Sequence, residues 1–215
     1  MNRIKSNQEY RSFGAAQMEG RYQKTIILLL ILYAFNALVI GPMFDQQNAS
    51  SLGSLGSLVN LAISAALAYS LVDVWLGQME KKDPQLEAAL LDGFKHNYLR
   101  NLLLKFLMSL FTGLWMLLLI VPGIIAAYRY SMAFYIVHRE PDLDALAAIS
   151  RSKALTQGHK SQLFSLDLSY LGWYFLGIFT CGILWLWVIP KHMTARMALV
   201  KDIYDSANPE KTVAQ

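Results

Sequence analysis

The sequence predicts an all-α membrane protein: six transmembrane helices arranged as three parallel hairpin repeats, each preceded by an amphipathic interfacial helix. Three observations predict it. The first is a pattern that occurs three times: an alanine, a glycine four residues later, basic and aromatic residues, then a long apolar stretch. Ala16 and Gly20 precede Arg21, Tyr22 and Lys24; Ala89 and Gly93 precede Phe94, Lys95 and His96; Ala154 and Gly158 precede His159 and Lys160. Self-similarity at such a period dictates architecture. The second is composition, 55% hydrophobic and 16% charged, against about 25% charged in ordinary soluble domains. The third is where the cations lie. No Lys or Arg occurs between Lys24 and Lys81, and the others gather at the edges of apolar stretches. A net charge of +4 distributed this way marks juxtamembrane cations and argues against nucleic-acid binding. The single cysteine, Cys181, excludes an intrachain disulfide and a cysteine-based metal cluster.

The chain reads as one membrane domain over residues 1–215, with units at about 1–78, 79–138 and 139–205 and a polar tail at 206–215. Residues 1–23 form a surface helix lying along the membrane. Its capping box is Ser6 with Glu9 three residues on, and Tyr10, Phe13 and Gln17 follow at helical spacing. Thr25 to about Phe44 is an uncleaved first span, since a bilayer core needs roughly 20 apolar residues and no cleavage site follows it. Asp45–Gly56, rich in Ser and Gly and free of basic residues, is an external loop. Ser57 to about Gly77 is the second span. Asn60, Ser64 and Ala68, and likewise Ala62, Ala66 and Ser70, recur every four residues and suit close helix packing in lipid.

Asp83-Pro84 starts a second surface helix, with Leu86, Leu90, Leu91, Phe94 and Tyr98 on one stripe. Residues 101–137 are mostly apolar. At about 1.5 Å per residue they are too long for one untilted crossing of a core of roughly 30 Å. Pro122-Gly123 is the natural turn, giving spans at 101–121 and 123–138. Pro141-Asp142 opens a third surface helix ending at Gly158, with Leu143, Leu146, Ala147, Ser150 and Ala154 on its apolar face. Spans five and six are 162–181 and 183–203, turning at Thr180-Cys181-Gly182. Pro190, Lys191, His192 and Arg196 interrupt the sixth. Six spans with both termini cytoplasmic put nearly every Lys and Arg inside the plasma membrane. Four spans would put Arg139, Arg151, Lys153 and Lys160 outside, against the positive-inside rule.

The residues from Trp115 to Tyr204 carry a family resemblance. Trp115 to Ile125 (WMLLLIVPGII), Tyr128-Arg129-Tyr130-Ser131-Met132-Ala133, Ser152-Lys153-Ala154-Leu155, Gly158-His159-Lys160 and Leu166 to Trp173 (LDLSYLGW) stand in order and spacing. This stretch resembles the bacterial integral membrane family catalogued as domain of unknown function 975. The resemblance implies a polytopic helical membrane protein and no particular activity, and it supplies no catalytic residues. Where such families show Pro-Tyr after the last apolar run, this chain has Pro190-Lys191.

Arg129 and Asp167 are the costliest residues at depth, since a charge at the bilayer centre costs at least about 2.5–3.5 kcal/mol on insertion scales. They carry opposite charge and are expected to meet, either as a structural ion pair docking units two and three or as a ligand, ion or proton site. Arg21, Lys24, Lys95, Arg100, Lys105, His159, Lys160 and Arg196 stand at inner edges, where anionic lipid headgroups are the expected partners. A solvated edge competes with that reading. The histidines match no metal motif, and no phosphate loop, dinucleotide fingerprint or nucleophile elbow is present. No cofactor, metal site or enzymatic activity is expected. The function read from the sequence is binding of lipid or a small ligand, or scaffolding with a membrane-protein partner or a second copy. The alternatives are a small transporter or channel using Arg129 and Asp167, and an immunity or stress factor against membrane-active peptides.

Overall fold

The structure, a computed structural model, describes residues 4–20, 22–35, 52–79, 92–95, 97–118, 120–180 and 182–208. Among these residues the chain is helix and turn, without a strand. The expected second surface helix, from Asp83 through Tyr98, lies outside the described residues over 83–91 and is helical at 92–95; most of the 45–56 loop, Arg21, His96 and Cys181 are also outside them.

Helix α1 (Asn7–Met18) starts as its capping box requires. The Ser6 hydroxyl accepts the Glu9 N–H, and the Glu9 carboxylate accepts the Ser6 N–H at 2.6 Å. It also packs on the protein itself. Tyr10, Gly14 and Met18 form its buried face, and a Cβ on Gly14 would stand 2.5 Å from the Lys191 carbonyl oxygen. The helix is docked against the last helix of the chain.

Helix α2 (Tyr22–Phe35) and helix α3 (Leu52–Met79) follow. They are joined by the Gln78 amide donating to the Thr25 hydroxyl at 2.7 Å. Leu52–Gly56, expected in the loop, is helical instead. The apolar run behind it propagates helix through glycines and serines whose propensities are weak priors. Among the described residues, Leu61–Met79 is the helix long and apolar enough to cross a membrane.

The small-residue stripe of α3 does what its spacing suggests. A Cβ on Gly93 would lie 1.9 Å from the Ala66 carbonyl oxygen, and the Gly93 N–H donates to the buried Ser70 hydroxyl at 2.8 Å. Gly93 is thus a close-approach residue inside a helical stretch (92–95), not a helix end. Asn97, at φ 44°, takes the left-handed position there, whereas Gly20 (φ 76°) and Gly158 (φ 90°) take it in the other two copies.

Helix α4 (Tyr98–Leu118) and helix α5 (Ile120–Tyr130) pack as a hairpin. The turn precedes the expected Pro122-Gly123. Pro122 falls in the first turn of α5, where its missing N–H is harmless, and a Cβ on Gly123 would meet Met116 Cγ at 2.4 Å. The expected fourth span, 123–138, is not one helix. It divides at Ser131-Met132 into α5 and α6 (Ala133–Arg139). The Met132 amide donates to the Ser152 hydroxyl at 3.3 Å, which stabilises the break. With 11 residues, α5 is about 16 Å long, half of a core of roughly 30 Å. Helix α6 is buried from Ala133 to Val137 and ends on His138 and Arg139.

Helix α7 (Ala145–Leu155) begins after a turn at Pro141-Asp142, four residues later than expected. Its buried face is Ala145, Ala148, Ile149 and Ser152, not the expected Leu146, Ala147, Ser150 and Ala154; Leu146 is 52% exposed. Two hydrogen bonds explain the rotation: Ser152 accepts from Met132 and donates to the Arg129 carbonyl. Polar ties at the α5–α6 break outweigh one leucine.

Helix α8 (Lys160–Phe179) and helix α9 (Trp185–Ala207) form the last hairpin. At its tip the Gly182 N–H donates to the Gly177 carbonyl at 2.8 Å, and the Trp185 indole N–H donates to the Tyr174 carbonyl at 2.9 Å. Pro190 lies within α9, which continues past it to Ala207. Both hairpins carry exposed apolar side chains toward their tips. These are Leu114, Leu117, Val121 and Ile125 on the first, and Leu171, Phe175, Ile178 and Ile183 on the second. Contiguous apolar surface on this scale marks contact with a membrane or a partner.

Candidate functional site

The polar residues of α8 and α9 meet inside the last hairpin. The Asp167 carboxylate accepts hydrogen bonds from the Tyr128 hydroxyl at 2.8 Å and from His192 Nε2 at 2.8 Å. Arg196 lies 3.6 Å from the same carboxylate. His192 is buried. Its ring stacks on Tyr170 with centroids 4.6 Å apart, and its Nδ1 meets the Tyr174 hydroxyl at 2.9 Å. With Asp167 ionised, Nε2–H donates to it and Nδ1 accepts from Tyr174. Three donors converge on two carboxylate oxygens, so the cluster is closed by the chain's own groups.

The expected Arg129–Asp167 pair is not made. Helix α5 presents Tyr128 to α8, and Arg129, one residue on, is turned about 100° around the helix. The Arg129 carbonyl accepts from Ser152 at 2.8 Å. Among the described residues, its guanidinium forms no ion pair, and Nε is buried without a hydrogen-bond partner. The sequence also hid the role of His192. A usable signal was present in the residue numbers: Asp167 lies 14 residues before Cys181 (181 − 167), and Arg196 lies 15 after it (196 − 181). A hairpin closing at that turn brings them to one level.

Similar contacts join the other seams. The Tyr10 hydroxyl donates to Asp202 at 2.8 Å, tying unit one to unit three. Burial, foremost, pushes that phenol well above its ordinary value, and Asp202 acts in the same sense, so Tyr10 stays a donor. His138 pairs with Asp73, tying unit two to unit one. At the C-terminal end of α9, Glu140 accepts from the Tyr204 hydroxyl at 2.6 Å and pairs with Arg151 at 3.1 Å. Each of the three seams is therefore pinned by an aspartate with a tyrosine or histidine from another unit.

The expected headgroup cations divide. Lys24 and Lys95 are exposed, while Lys105, His159 and Lys160 are half-buried near helix ends or within α4. Arg100 turns inward and donates to the Pro141 carbonyl. Arg196 is also turned inward, held by Asp167 and lying over the Tyr128 ring at 5.9 Å. No group of three His, Cys, Asp or Glu suited to a metal occurs among the described residues.

These helices coincide with a known family. Residues 116–206, covering the tip of the α4–α5 hairpin through nearly all of α9, match the family described as "Protein of unknown function (DUF975)". The resemblance read from the residues is borne out over that segment. No curated protein and no solved structure matches the chain.

Proposed function

We propose that the chain is a multi-pass membrane protein of the plasma membrane, with both termini cytoplasmic, that holds anionic lipid at its inner face. One observation carries the reading: the exposed apolar side chains of the two hairpins, with cations at their opposite ends. A surface of this kind is unfavourable in water at about 25 cal/mol per Å² and costs nothing in lipid. The three hairpins enter from one side. The second penetrates least, because α5 is only half the length of a crossing. Lysines near inner ends each add about 1 kcal/mol of attraction to an anionic surface.

The transporter alternative loses its main support, because Asp167 is engaged by Tyr128, His192 and Arg196 rather than facing Arg129 across a pathway. Retention of the protein in membranes at alkaline pH, together with cytoplasmic activity of a reporter fused after Gly158, is expected. Release at alkaline pH, or a reporter active outside, would overturn the reading.

A further inference from the structure

A groove of about 610 Å³ runs between α1, α8 and α9. Its lining has two unlike halves. One holds Arg11 and Lys191 with Asn7, and the other holds Trp173, Leu184 and Trp187. No acidic residue lines it. Among the described residues, neither cation is held by a carboxylate. Arg11 lies over the Tyr170 ring at 5.5 Å and Lys191 over the Tyr22 ring at 5.4 Å. Aromatic rings fix their positions while leaving their charge unneutralised. The two elements that carry them are in contact, since Gly14 of α1 abuts the Lys191 carbonyl. Asn7 adds an unused acceptor: its amide nitrogen donates to Ser165 at 2.9 Å, and its buried Oδ1 has no hydrogen-bond partner. Trp173 and Trp187 are 48% and 46% exposed, so the apolar half opens sideways onto the apolar surface of the hairpin.

Resting on the lipid-binding reading above, we infer that this groove is a specific site for one anionic phospholipid. The phosphate sits between Arg11 and Lys191, and an acyl chain lies along Trp173, Leu184 and Trp187. Charge selects the lipid: two unneutralised cations and no acid favour an anionic headgroup over a zwitterionic one. The apolar half selects a lipid over a free anion, which would leave the tryptophans uncovered.

The test uses the full-length protein extracted from vesicles of equal phosphatidylglycerol and phosphatidylcholine, with retained lipid read by native mass spectrometry. Wild type is expected to keep phosphatidylglycerol preferentially. The double variant Arg11→Gln/Lys191→Gln is expected to keep it at least about tenfold less, as the loss of two cations near the phosphate implies. Arg11→Lys/Lys191→Arg should restore retention, which separates loss of charge from loss of fold. Lys95→Gln/Lys160→Gln removes equal charge outside the groove and should lower retention less than the groove double variant does; an equal loss would overturn the site. Unchanged retention in the double variant, or displacement of the lipid by inorganic phosphate alone, would overturn the site. Release of the wild type from membranes at alkaline pH would instead overturn the reading on which it rests.

Discussion

The hairpins α4–α5 and α8–α9 begin from the same sequence plan and end in different structures. Each has an apolar outgoing helix, a glycine near the turn and an apolar return. Gly113 and Gly172 stand at comparable distances before the breaks, and a Cβ on either would meet open space. At the tips a glycine allows the two arms to touch: Gly123 against Met116, and Gly177 against Trp185. Past the tips the hairpins diverge. The return helix α5 stops at Tyr130, and its one cation, Arg129, has no carboxylate among the described residues. The return helix α9 runs on for 23 residues and brings His192 and Arg196 back to Asp167. The difference teaches that a charge in an apolar run is organised when the hairpin returns a partner to its level. The third hairpin does so and the second does not.

Substitutions can break this comparison, and the largest effect is expected at Asp167. Asp167→Leu leaves His192, Arg196 and Tyr128 without their shared acceptor. A loss near 3 kcal/mol is expected, the low end for a broken buried pair because Arg196 is partly exposed. Thermal unfolding in detergent measures it, and an unchanged transition would show that the cluster does not hold the hairpin. Arg129→Gln is the matched control in the second hairpin and should cost within about 0.5 kcal/mol.

The glycines divide in the same way. Gly177→Ala and Gly123→Ala force groups apart at the tips and should each cost about 1–3 kcal/mol by overpacking. Gly113→Ala and Gly172→Ala, facing open space within helices, should instead stabilise by about 0.5–1 kcal/mol. Equal effects at all four positions would remove the distinction between tip and flank. At the seam with α1, Tyr10→Phe deletes the hydrogen bond to Asp202 and should cost about 1–2 kcal/mol.

The smallest effect concerns the C-terminal end of α9, the part without a counterpart in α5. Burial raises the Asp205 carboxyl above the ordinary carboxylate value, with Lys201 and Arg139 opposing. A raised folded-state value means that the folded chain holds the proton more tightly than the unfolded one. Ionised Asp205 therefore costs stability above that value, and the cost disappears as pH falls through it. Asp205→Asn should raise the unfolding temperature slightly at neutral pH and flatten its pH dependence on the acid side. A lowered temperature would show that the pairing with Lys201 outweighs burial.

Much of the fold was legible because its determinants are local. The Ser6–Glu9 capping box, the close approach at Ala66 and Ser70, and a last hairpin whose helices start and end within two to four residues of the expected 162–181 and 183–203 follow from spacing. The features that sequence reasoning missed are tertiary. Whether Gly93 ends a helix or admits a neighbour depends on Ala66 of another helix. The buried face of α7 depends on Ser152 meeting the α5–α6 break. Arg129 and Tyr128 are adjacent in sequence, and only the rotation of α5 decides which of them reaches Asp167. For the site, the sequence marked Asp167 as costly but chose its partner by charge and depth. The hairpin chose by level around its turn.

If the apolar hairpins are inserted in a bilayer from one side, as proposed, the turn of the third reaches the outer face. Cys181, the only cysteine of the sequence, stands in sequence between Thr180 and Gly182, which lie at the turn of that hairpin, so the wild-type chain carries its own reporter. Intact cells or sealed right-side-out vesicles treated with a membrane-impermeant maleimide should label Cys181 from outside, and a Cys181→Ser variant should give no signal. Labelling only after the cytoplasmic face is opened would contradict the account.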